Sequence, residues 1–209
     1  MLGEVSVSND FYYRINHNHI DEVESVYSEN VTLNTFDNVG TDYSFGSEIM
    51  VVSDPLPFLN VNFMGNIYEY RIKGVINSQP FYQNNFNWSL RMNNGFKIME
   101  SLMVQLNMRY HSPEIEAQER EAANFSADLS VKKDFMGKKL SLTLQVRDLL
   151  KTRRHESTTT GVSFYSYNYH AMDAPVIMLN LRFNFNNYKR EEDQHNNDQQ
   201  DFENGNEDS

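Results

Sequence analysis

Two histidines one residue apart, His17 and His19, stand beside Asp21 and Glu22. In extended backbone alternate side chains project to one side, so this spacing suits a two-imidazole grip on a divalent ion. The sequence names no second strand to complete such a site, and histidines in polar connections are ordinarily solvated. No metal and no cofactor is therefore expected. Six His and many Ser supply chance pairings, but no Gly-x-Ser-x-Gly elbow presents a serine nucleophile. The chain has no cysteine, which removes thiolate metal sites, disulfides and a Cys nucleophile. No glycine-rich loop is built to cradle phosphate. Five arginines, Arg14, Arg91, Arg109, Arg147 and Arg182, fall at polar positions of alternating segments. They read as a polar wall, solvated or ion-paired, that an anionic substrate could contact. No enzymatic activity is expected.

What positions these residues is a strand pattern. The 209 residues carry 18 Lys+Arg and 29 Asp+Glu, net −11, yet 13% are aromatic. A disordered acidic chain would be poor in aromatics. The acidity is concentrated in 189–209, where 8 acids meet 2 bases, leaving −5 for 1–188. The tail has one aromatic, Phe202, and no periodicity, so it reads as a disordered acidic tail behind one folded unit, 1–188. No basic stripe exists to neutralise phosphates, which argues against nucleic acid. Met1-Leu2-Gly3-Glu4 does not read as a signal peptide.

Apolar and polar residues alternate again and again, the mark of strands with two unlike faces. Phe125, Ala127, Leu129 and Val131 alternate with Ser126, Asp128, Ser130 and Lys132. Leu140, Leu142, Leu144 and Val146 alternate with Ser141, Thr143, Gln145 and Arg147. Leu179, Leu181, Phe183 and Phe185 alternate with Asn180, Arg182, Asn184 and Asn186. Leu102 to Tyr110, Phe86 to Met92 and Leu59 to Phe63 repeat the pattern. Near Gly65-Asn66 the phase slips to Tyr68, Tyr70 and Ile72, which predicts a bulge. Tight turns are predicted at 53–57, 93–95 and 135–138, from Pro, Asn and Gly. Longer polar connections are expected near 17–35, 73–80, 111–119 and 153–174. Eight strands follow, near 5–16, 36–52, 57–72, 81–93, 95–110, 120–134, 138–152 and 175–186. The expected fold is all-β: an antiparallel up-and-down sheet, in which alternation alone does not separate transmembrane β-barrel strands from a soluble sheet.

Long strands, aromatics near strand ends and a polar face rich in Asn, Gln, Ser and Arg suit a membrane barrel. Phe125, Leu129, Val131, Leu140, Leu142, Leu144, Val146, Leu179, Leu181, Phe183 and Phe185 are then lipid-facing. Arg91, Arg109, Gln145, Arg147 and Arg182 are lumen-facing. A soluble β-sandwich binding module and a small self-contained outer-membrane barrel, with or without hydrolase activity, share the pattern.

The stretch Ala127 to Leu150, with its Phe135-Met136-Gly137-Lys138-Lys139 turn and Asp148-Leu149-Leu150 end, resembles the penultimate hairpin of TonB-dependent outer-membrane receptors. More narrowly it is similar to the outer membrane protein β-barrel family common in Bacteroidetes. Val176 to Tyr188 resembles that family's final aromatic strand. Phe11-Tyr12-Tyr13-Arg14, Asn38-Val39-Gly40 and Phe45-Gly46-Ser47-Glu48 resemble its Phe-Tyr-x-Arg, Asn-x-Gly and Tyr-Gly-x-Glu run. Leu150 departs from an expected aromatic, and the tail extends past the strand. The resemblance implies the C-terminal eight strands of a 22-stranded barrel, taking part in uptake across the bacterial outer membrane. It implies outer-membrane lipid, the barrel-assembly machinery, an N-terminal plug, further barrel strands and, through the plug, a periplasmic energy-transducing protein as partners. Phe183 and Phe185 would carry the assembly signal, and the C-terminus would lie in the periplasm.

Overall fold

The computed structural model describes residues 4–29 and 31–185. The acidic tail and the expected strand end at 186–188 lie outside the described residues. Among the described residues are twelve strands. The first four, β1 (Val5–Ser28), β2 (Val31–Leu56), β3 (Leu59–Ile76) and β4 (Gln79–Met99), are long. Then come β5 (Leu102–His111), β6 (Glu114–Ile115), β7 (Glu119–Glu121) and β8 (Asn124–Phe135). The last are β9 (Leu140–Arg147), β10 (Arg154–Thr160), β11 (Tyr165–Ala171) and β12 (Val176–Phe183).

Eight strands form one antiparallel sheet in the order β1-β2-β3-β4-β5-β8-β9-β12, and four form a second, β11-β10-β7-β6. This corrects the barrel expectation: among the described residues no sheet is closed. β1 pairs only with β2 and β12 only with β9, whereas closure requires the first and last strands to meet. The two connections 112–123 and 148–175 are also not plain loops. They supply all four strands of the second sheet.

The strands outrun their sequence signal. Residues 17–35 were expected to connect, but they are the paired ends of β1 and β2. Residues 73–80 likewise belong to β3 and β4, which join through Asn77 and Ser78 at φ 50° and 65°. Two successive positive φ values fit a two-residue hairpin whose twist matches its strands. Asn93-Asn94-Gly95 is not a turn. It lies inside β4, paired to β5 and β3, and the chain reverses at 100–101. Nor is there a bulge at Gly65: β2 and β3 stay in register from Gly40↔Gly74 to Ser53↔Val61. The phase slip has another cause. Tyr68, Tyr70 and Ile72 are apolar residues on the otherwise polar face, paired with Asn87, Asn85 and Gln83.

They are there because something covers them. Val23, Val39, Ile72, Ile76 and Ala117 form a small buried core, flanked by Tyr70 and Phe81. Ala117 comes from the connection that builds the second sheet, so this core fastens that sheet onto the polar face. Gly40 makes the core's close strand approach feasible. At φ 136° a Cβ there would sit 2.1 Å from the Lys73 carbonyl oxygen.

Candidate functional site

Cross-strand partners point to the same side of a sheet, so the register sorts every residue. One chain of partners runs Tyr110, Phe125 and another Leu106, Leu129, Val146, Ile177. Val131 pairs with Leu144 and Leu144 with Leu179; Leu142 pairs with Leu181 and Leu140 with Phe183. Through β4 to β1 the same face carries Met92, Phe63, Val51 and Val7. The residues expected to face lipid within strands therefore share one face, which runs across all eight strands. Among the described residues nothing covers it: Phe11 is 75% exposed, Leu179 68% and Leu181 67%. Phe185 lies just past β12, with its ring centroid 4.6 Å from that of Phe183.

The opposite face collects Arg91, Arg109, Gln145, Arg147 and Arg182. Arg91 is the direct partner of Arg109, Gln145 of Ser130, and Arg182 of Ser141. Arg147 follows Gln145 by two residues and sits on the same side. Arg91 and Arg109 line a cavity with His111, Asp10 and Glu48.

The two histidines are not brought together. Asn18 takes φ 57° and the register shifts at that point, so His17 pairs with Thr41 and His19 with Gly40. A bulge adds one residue and turns the two rings to opposite faces. His17 joins the apolar face, while His19 turns onto the polar face, with Nδ1 3.2 Å from Asp42 Oδ2 and Nε2 4.0 Å from Asp21 Oδ2.

A polar cavity of about 460 Å³ lies there, between the sheet and the β6 segment. Tyr12, Arg14 and Glu48, from two of the sequence motifs, line it with His19, Asp42, Tyr68, Tyr70, Glu114 and Glu116. The motif glycine Gly46 makes room for one of them: a Cβ there would come within 2.7 Å of the Tyr12 ring. Tyr12 then donates to Asn66 Oδ1 at 3.1 Å. Across the cavity Tyr68 donates to Glu114 Oε1 at 3.1 Å. Asp42 is buried, and its Oδ1 lacks a hydrogen-bond partner. Glu116 is exposed as a residue, but partial desolvation of its carboxyl pushes it up to about 7, and nearby Asp21, Glu119, Glu121 and Glu114 add to it. Sequence reasoning missed this site, because Glu114 and Glu116 sit in a connection with no periodicity.

Two further arrangements stand out. Glu119, Glu121 and His155 bring one ligating atom each within 4.8 Å of the others on the second sheet. Glu121 faces Glu114 directly across β6 and β7. At the end of β9, Asp148 takes φ 50° and accepts the backbone N–H groups of Thr152 and Arg153 at 2.9 and 3.1 Å. The Arg153 guanidinium grips both oxygens of Asp128 at 3.1 and 3.2 Å. The Asp-Leu-Leu motif is therefore a strand stop and loop latch.

No curated protein matches this chain, and no solved structure does. A family model does match, over residues 3–186. With nearly the whole chain covered, and two unlike faces on long antiparallel strands, the chain belongs to the outer membrane protein beta-barrel family.

Proposed function

We propose that this chain serves uptake across the outer membrane as the C-terminal part of a TonB-dependent-receptor-like protein. Membership of the family gives it a non-enzymatic role in the bacterial outer membrane, where bilayer lipid and the assembly machinery are its general surroundings. The finer reading rests on one observation: an uncovered apolar face extends over eight strands and backs onto a polar one. In water such a face would cost about 25 cal/mol for each Å² left exposed. In lipid it is solvated, while the strand backbone is satisfied by its neighbours.

The extent of the face supports the same reading. On β3 the apolar side carries Leu59, Val61, Phe63 and Ile67, then changes to Glu69, Arg71 and Lys73. Tyr43, Tyr82 and Tyr13 surround that change, and Lys73 lies over the Tyr43 ring. An apolar band of about 9–11 residues bounded by aromatics matches a tilted strand crossing a bilayer. The turns at 57–58, 100–101 and 136–139 are all short, whereas the other end holds the two long connections, 112–123 and 148–175, beside the two-residue turn at 77–78. The rule of short periplasmic turns and long outer loops supports a periplasmic C-terminus. Phe183 and Phe185 would present the assembly signal beside it.

Two observations test this reading. A cysteine at Asn77 should react with an impermeant maleimide on intact cells, and one at Glu100 only after the outer membrane is permeabilised. Equal labelling would contradict the orientation. The coding sequence upstream of Met1 should continue in frame into a plug and more strands. A signal peptide directly before Met1 would contradict the receptor reading.

A further inference from the structure

The cavity between the sheet and the β6 segment holds four carboxylates, Asp42, Glu48, Glu114 and Glu116, against Arg14 and His19. Its deepest acid is satisfied on one oxygen only. The Asp42 side chain is only 5% exposed, His19 approaches one oxygen, and the other lacks a hydrogen-bond partner. A buried carboxylate left half-paired is costly, and a cation that meets it from the cavity it lines recovers part of that cost. Arg14 is not that donor: its guanidinium instead contacts Ser44 Oγ, at 3.5 Å. Tyr12, Tyr68 and Tyr70 add ring surface on which a cation gains further attraction.

From these observations the geometry points to a binding site for a small organic cation, a guanidinium or primary ammonium compound, anchored on Asp42. It rests on the reading that the polar face opens to water, and it names the ligand class of that face. An elongated organic cation suits the site better than a bare metal ion. Among the described residues, only Glu119, Glu121 and His155 bring three metal-binding atoms within 4.8 Å of one another, and none of them belongs to this cavity. The volume of about 460 Å³ has room for a guanidinium at one end and an ammonium at the other.

The test is calorimetric titration of the full chain in detergent micelles with agmatine, which has a cationic group at each end. The comparison ligand is 4-guanidinobutyrate, of similar length but with a carboxylate in place of the ammonium. Agmatine should bind at one site, and 4-guanidinobutyrate at least about tenfold more weakly. Asp42→Asn should weaken agmatine by about tenfold or more, the loss of one charge-assisted hydrogen bond. Should Asp42→Asn fail to fold, Glu114→Gln at the rim should still weaken agmatine. Equal affinity for the two ligands would overturn the proposal, as would wild-type affinity in both variants. Displacement of agmatine by stoichiometric zinc would overturn it in favour of a metal site. Binding in micelles reads the cavity alone, so its failure is distinct from a failure of membrane orientation in cells.

Discussion

The two sheets are built from opposite materials. In the eight-stranded sheet, large apolar residues alternate with polar ones, and among the described residues nothing covers one face. In the four-stranded sheet the strands are short and rich in Glu, Arg, Thr, Ser and Tyr, such as Glu119-Arg120-Glu121 and Arg154 to Thr160. The first sheet needs an apolar solvent on one side. The second needs a host, and it finds one through Ala117 packed among Val23, Val39, Ile72 and Ile76. Extent is thus specified by alternation in the first sheet and by a few anchoring residues in the second.

Breaking the anchor should separate the two most. Ile72 is fully buried, so Ile72→Ala should cost about 2–5 kcal/mol. The expected outcome is protease cleavage within 112–123 and 148–175 while the membrane-embedded strands stay protected. Nearly as large is the asymmetry within the first sheet. Leu142→Arg should cost about 2–4 kcal/mol on folding into lipid vesicles, and Thr143→Arg little. Equal costs at the two sites would count against the assigned faces. A smaller effect is expected at the latch, where Asp148→Ala removes the acceptor of two backbone donors and should cost about 1–3 kcal/mol. Denaturant-dependent release of the second sheet, followed by proteolysis, would measure it.

The mildest prediction is a pH dependence of docking. The Glu116 carboxyl is raised to about 7 by partial desolvation and by its acidic neighbours. The docked form therefore binds its proton more tightly than the undocked one. The stabilisation is whole below the ordinary carboxylate value near 4.5 and is lost as pH rises through about 7. Cleavage within 112–123 should increase across that window, and Glu116→Gln should flatten the response.

These contrasts explain what the sequence could show. The pairs Leu142/Leu181 and Val131/Leu144 were legible because a one-sided apolar face demands apolar residues at every second position. The opposite phase of Tyr68, Tyr70 and Ile72 was visible too, but it read as a bulge, because its cause is cover from a distant connection: Glu114 meets Tyr68, and Ala117, 45 residues beyond Ile72, shares the core of Ile72 and Tyr70. The bulge that does exist sits at Asn18, and a positive φ at an Asn leaves no periodic trace. That single residue undid the paired-histidine reading of His17 and His19. The turn expected at Asn93-Asn94-Gly95 had the right residue types, yet strand pairing on both sides overrode local preference. The second sheet, on which the polar cavity depends, was invisible because β6, β7 and β10 carry no apolar alternation and the alternating tyrosines of β11 lie inside an expected connection. Closure into a barrel rested on the strand pattern and the resemblance, but alternation specifies faces and is silent on whether two edges meet.

The central claim is that one face of the eight-stranded sheet meets lipid and the other meets water. Because the chain has no cysteine, single cysteines can be placed one by one along β9 and spin-labelled in outer-membrane vesicles. Collision with oxygen, which concentrates in lipid, should be high at Leu140, Leu142, Leu144 and Val146. Collision with a water-soluble nickel chelate should be high at Ser141, Thr143, Gln145 and Arg147. A strict period of two with opposite phases is the predicted result. Uniform accessibility to the nickel chelate along β9 would contradict the account.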